Sequence, residues 1–123
     1  MRLIALRGAT TVQENTAHAI LAATAELMQE VLARNALAPD RLVSCIFTLT
    51  EDLDAEFPAV AARRIGLSAV PLLCAREIPV PGSLPRVIRV LIHCYVRDGH
   101  APQHVYLGEA RALPTRPPGA GRR

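Results

Sequence analysis

Apolar residues fall at strand spacing at the start of the chain and at helix spacing directly after it. Residues 2–7 alternate or run apolar and stop at Gly8, which predicts a first strand ending in a tight turn. Gln13-Glu14-Asn15-Thr16 leads into a long helix, with Thr16 as N-cap and Asn35 as C-cap. Ile20, Leu27 and Val31 form its apolar stripe, widened by Leu21, Met28 and Leu32, and Glu26 and Glu30 face the other way. Residues 41–50 are almost continuously apolar, as suits a strand covered on both faces. Phe57-Pro58 opens a short helix that Gly66 closes. A third strand is expected over residues 69–74, with Pro71 marking it as an edge or a bulge.

Ile78-Pro79-Val80-Pro81-Gly82-Ser83-Leu84-Pro85 can be neither helix nor central strand and reads as a restrained loop. Residues 86–96 give the longest strand pattern, and residues 104–107 and 110–113 give two short ones. From Pro114 onward the composition is that of a flexible basic Pro/Gly-rich tail. The chain thus divides into a domain over 1–113 and a tail over 114–123. The element order predicts an α/β domain whose mixed sheet is packed by one long helix. One helix covers only one face, so self-association is the simple cover for the other.

Composition narrows the chemistry. The 123 residues make one domain, and no apolar run is long enough for a membrane span, so no membrane partner is expected. With no signal-peptide pattern at the start, the expected compartment is cytoplasmic. All 14 basic residues are arginine, which excludes Schiff-base and P-loop lysines. Arg116, Arg122 and Arg123 lie in the tail, and subtracting them from the net charge of +3 leaves the domain neutral. A nucleic-acid partner is therefore not expected. Cys45, Cys74 and Cys94 form no CxxC pair, and an odd count argues against a disulfide framework. His100 and His104 flank Ala101-Pro102 without a third ligand, so no metal is expected.

The informative oddity is Arg89, which shares a strand face with Val87, Leu91, His93 and Tyr95. In so apolar a strand it is expected to be buried and to need a carboxylate, since an unpaired buried charge costs roughly several kcal/mol. That carboxylate could come from a ligand or from Glu77, just before the proline loop. Arg7 ends the first strand, Arg63 follows Phe57-Pro58, and Tyr106 is one of two tyrosines. Alone, each has an ordinary structural explanation: solvation, packing or a satisfied hydroxyl. Together, arginines at strand ends, one glutamate, one tyrosine hydroxyl and no expected nucleophile–base pair suit a small dianionic acid more than hydrolysis.

Five separated segments carry a family resemblance: Arg7-Gly8-Ala9-Thr10-Thr11-Val12; Phe57-Pro58-Ala59 with Arg63; Val70-Pro71-Leu72-Leu73-Cys74-Ala75-Arg76-Glu77; Ile88-Arg89-Val90; and His104-Val105-Tyr106-Leu107. In order and spacing they resemble the AroH-type chorismate mutases over residues 1–114. The resemblance implies a trimeric pseudo-barrel, with active sites at the interfaces of a homotrimer. It also implies conversion of chorismate to prephenate in aromatic amino acid biosynthesis, with no cofactor. It casts Arg7 and Tyr106 as holding a substrate carboxylate and Arg89 as facing the breaking ether oxygen. Glu77 and the backbone at Cys74 would meet the ring hydroxyl. Phe57 and Leu113 would form apolar walls, with Arg63 a cation at the mouth. Val60 stands where that pattern can carry lysine and Leu73 where it can carry threonine, so altered edge contacts are expected there. Two rivals share the layout: a Rid-type trimeric imine deaminase or small-carboxylate-binding module, and a catalytically silent scaffold.

Overall fold

The computed structural model describes residues 1–113; the expected tail over 114–123 lies outside the described residues. Strand β1 (Arg2–Thr11) leads to helix α1 (Ala17–Arg34), strand β2 (Leu42–Leu49) and the short helix α2 (Pro58–Ala62). Strands β3 (Leu72–Arg76), β4 (Val87–Val96) and β5 (Val105–Tyr106) complete a mixed five-stranded sheet in the order β3-β2-β4-β1-β5. β4 pairs antiparallel with both β1 and β2, and the two edge strands β3 and β5 pair parallel with β2 and β1.

Period-two alternation sorts the sheet. Leu6, Cys45, Phe47, Leu49, Ile88, Val90, Ile92 and Cys94 point to the helical side and are buried. There they meet Ile20, Leu27, Met28 and Val31 of α1, together with Ala59 and Ala62 of α2. Thr16 Oγ1 accepts from Ala19 N at 3.1 Å and caps α1 as expected. Asn35 closes it: its Nδ2 donates to the carbonyls of Val31 and Gln103, both at 2.9 Å.

Four expectations need correcting. β1 does not stop at Gly8 but runs on to Thr11. Gly8 is favoured by close approach, since a Cβ there would lie 3.1 Å from Val90 Cγ1 and 3.2 Å from Leu27 Cδ1. β3 begins at Leu72, after Pro71, and extends to Arg76; Pro71 still contributes its carbonyl to Cys45 N at 3.0 Å. Residues 110–113 are not a strand: a 3₁₀ turn over Gly108–Ala112 replaces it, started by Gly108 at φ +56°. Finally, α1 shares the covered face with α2 and a widened turn over Arg63–Leu67, which Gly66 ends at φ +105°.

The opposite face of the sheet has no layer of its own among the described residues. Leu3, Val43, Leu73 and Tyr95 are all exposed there or at its margins.

Gly8→Ala is expected to destabilise the fold by about 1 kcal/mol or somewhat more, because overpacking against β-branched Val90 outweighs the entropy gained. A urea midpoint lowered at unchanged slope checks this; an unchanged midpoint would show that Leu27 yields freely.

Candidate active site

Register places Arg7, Arg89 and Tyr106 on the uncovered face. One cross-strand row runs Ala75, Thr48, Arg89, Ala9 and Tyr106, from β3 through to β5. In the next row Arg7 lies opposite Leu91, which lies opposite Ile46. Ala9 is the small residue between Arg89 and Tyr106, so the row dips there. Around that dip Arg7, Ile46, Thr48, Arg89, Leu91 and Tyr106 line a cavity of about 320 Å³.

Glu77 reaches this row from beyond the end of β3. Its N–H donates to the Leu49 carbonyl at 2.9 Å, which keeps it in step with the sheet. Its carboxylate accepts from Arg89 Nε at 2.9 and 3.2 Å and from Thr48 Oγ1 at 2.8 Å. Arg89 therefore does take the protein carboxylate. It is not buried in the single chain, however: its side chain is 44% exposed, against 17% for Glu77. The strand is apolar, but the face Arg89 occupies has no cover among the described residues. Among the described residues only Nε is engaged, so the other guanidinium N–H groups remain available.

The remaining candidates lie elsewhere. Phe57, 66% exposed at the start of α2, lines a second groove of about 370 Å³ with Leu53, Cys74 and Arg76. Arg76 Nη1 braces that groove by donating to the carbonyls of Thr50 and Leu53, at 2.7 and 2.9 Å. Arg63 is exposed at the turn after α2. Leu73 is exposed on β3 opposite Ile46, and Leu113 follows the 3₁₀ turn, half-buried. One chain thus assembles Arg7, Glu77, Arg89 and Tyr106 but not Phe57, Cys74, Arg63, Leu73 or Leu113.

Three contacts were missing from the sequence reading. Thr48 orients Glu77, a role recoverable only once β2 is registered against β4. His104 Nδ1 accepts from Arg7 N at 3.0 Å. Ser44 Oγ and His93 Nδ1 lie 3.1 Å apart, a hydroxyl–imidazole pair where none was expected. No carboxylate is bonded to that imidazole among the described residues, and the pair is outside the lining of the Arg7–Arg89 cavity. It lacks the third group that a nucleophile–base pair needs. Cys74 is free and half-buried, while burial and neighbouring Cys94 push the Cys45 thiol up to about 12, leaving it unreactive.

The family model for chorismate mutase type I matches residues 3–117. The chain belongs to the chorismate mutase type I family. It is 54% identical to chorismate mutase AroH of Thermus thermophilus over 113 residues, 88% of this chain and 90% of that one. It is 37% identical to chorismate mutase AroH of Bacillus subtilis over 118 residues, 92% and 91% of the two chains. A solved chorismate mutase from Clostridium thermocellum superposes with a TM-score of 0.86 at 49% identity, covering 89% of this chain and 99% of that one. Family membership makes the chain an isomerase and does not favour the imine-deaminase alternative. No described helix is long and apolar enough to cross a membrane.

Because the Arg89–Glu77 pair is half-open to solvent, its contribution to folding is small. Glu77→Gln is expected to change stability by less than about 1 kcal/mol in a denaturant titration. A much larger loss would make the pair a structural tie.

Proposed function

We propose that this chain rearranges chorismate to prephenate, as a homotrimer with active sites between subunits. The observation that carries the reading is the convergence of Arg7, Arg89 and Tyr106 on one cavity, with Glu77 gripping Arg89 by a single nitrogen. Two cations and a phenol suit a small dicarboxylate. The rearrangement breaks a carbon–oxygen bond and forms a carbon–carbon bond within one molecule. It moves no proton and no net electron, so it calls for neither a base nor a cofactor.

The proposed roles follow. Arg7 and Tyr106 hold a carboxylate and keep the enolpyruvyl arm folded over the ring, a near-attack shape. The free edge of the Arg89 guanidinium faces the ether oxygen as negative charge grows there, already oriented by Glu77 and Thr48. Glu77 and the backbone at Cys74 take the ring hydroxyl. Phe57 and Leu113 supply apolar walls, Arg63 a cation at the mouth, and Leu73 an edge contact. Support for a shared site comes from the separation of the Phe57–Cys74 groove from the Arg7–Arg89 cavity within one chain. Apposing a second copy would complete both and would cover Leu3, Val43 and Tyr95. Three free cysteines suit the reducing cytoplasm, the proposed compartment.

Chorismate depletion followed by absorbance tests the activity directly; no turnover would overturn the reading. Arg89→Ala is expected to lower kcat/KM about a few-hundred-fold, the usual effect of deleting one transition-state donor, with the melting transition nearly unchanged. A neutral isostere of arginine retaining full activity would refute the electrostatic role. Sedimentation equilibrium is expected to give three times the chain mass; a stable monomer with full activity would refute the shared site.

A further inference from the structure

We propose that His104 is a positioning residue whose neutral imidazole accepts the Arg7 main-chain N–H and so fixes Arg7 and Tyr106 relative to each other. β5 is only two residues long, pairing Val105 with Gly8 and Tyr106 with Ala9. Leu107 N donates to the Ala9 carbonyl at 2.9 Å. Two residues back along this parallel ladder, Arg7 N–H would be due the Gln103 carbonyl. That carbonyl instead accepts from Asn35 Nδ2 at 2.9 Å, while Gln103 N donates to Asn35 Oδ1 at 2.9 Å. The end of α1 thus draws residue 103 away from the sheet, and the His104 ring supplies the missing acceptor at 3.0 Å. The strand that carries Tyr106 is thereby fastened to the residue next to Gly8 by a side chain.

An Nδ1 that accepts places the ring proton on Nε2, so the bond exists only for the neutral form. Protonation removes the acceptor and sets a second cation beside the Arg7 guanidinium. Partial desolvation of the largely exposed ring, and secondarily Arg7, hold the His104 pKa below its ordinary value of 6.5. The neutral contact is therefore fully present above that value and is lost as pH falls through the lowered one. Around His104 the titratable groups are Arg7 on β1, Tyr106 on β5, and His100 in the preceding loop, whose Nε2 faces Asn35 Oδ1 at 3.0 Å. Arg89 on β4 and Glu77 lie beyond Arg7 in the same site. His104 is itself solvent-exposed, so a proton reaches it without opening the fold.

The functional part of this inference rests on the mutase reading; the structural part does not. His104→Asn carries an acceptor oxygen at the same bond separation from Cα as Nδ1, and it does not titrate. His104→Ala is expected to raise KM for chorismate about fivefold near pH 7.5, the effect of one lost hydrogen bond, with kcat within about twofold. His104→Asn is expected to restore KM and to abolish the acid-side rise in KM expected of the unsubstituted chain as pH falls through the lowered His104 pKa. His104→Gln, with its acceptor one carbon too far, is expected to behave like the alanine variant. Separately, the Arg7 amide resonance is expected to shift with pH in the unsubstituted chain and not in His104→Asn. An acid limb that persists unchanged in His104→Asn, or an Arg7 amide indifferent to His104, overturns the proposal. An unsubstituted chain inactive on chorismate overturns the mutase reading, and the Arg7 amide then decides the positioning role alone.

Discussion

An arginine on the uncovered face of a sheet is not positioned by packing, and Glu77 is what positions Arg89. The bond to Nε holds the planar guanidinium at its inner edge and leaves the outer edge unspent. Thr48, across β2, donates to the same carboxylate, so the carboxylate has little freedom to follow the arginine away from the row. The other elements can be read as means to that arrangement. α1 and α2 bury one face of the sheet and leave the second free, and the β2–β4 pairing sets Thr48 opposite Arg89.

Much of this was legible in sequence because alternation survives along the central strands. β2, β4 and the caps of α1 follow from period and local chemistry, and of the edge or bulge that Pro71 signals the fold has the edge. The misreadings share a cause: a local signal was given a local meaning when its reason was tertiary. Gly8 reads as a turn, yet it is the point where Leu27 and Val90 leave a Cβ only tight room. Ala110 to Leu113 reads as strand, yet Gly108 and the bond from Glu109 N to Thr11 Oγ1 at 3.0 Å wind it into a turn. Of the candidate site, residue type and resemblance single out Arg7, Glu77, Arg89 and Tyr106, which the fold brings together. Thr48 and His104 were not, because neither stands out until the strands are in register.

The half-exposure of Arg89 bears on assembly. Sequence patterning implies burial, since its strand is apolar on both faces; among the described residues nothing covers it. Both statements hold together if the second face is covered by another copy of the chain. The same cover would bring an apolar groove to a charged cavity. Burial there would also lower the local dielectric, strengthening the field of the guanidinium without altering its hydrogen bonds.

Both flanks of the site hang on edge strands, the parts of a sheet with the fewest ladder bonds. β3 delivers Glu77 and β5 delivers Tyr106, and each pairs parallel with a single neighbour. Neither is secured by length. β3 is continued by the Glu77 N–H to Leu49, and the loop beside it is held by Arg76 donating to the carbonyls of Thr50 and Leu53. β5 is preceded by the His104 ring on Arg7 N and followed by the Leu107 N–H on Ala9. A site built this way can have rigid central cations and flanks tuned by single hydrogen bonds. Substitutions at its margins should then act on binding more than on the fold, as the exposure of those margins requires.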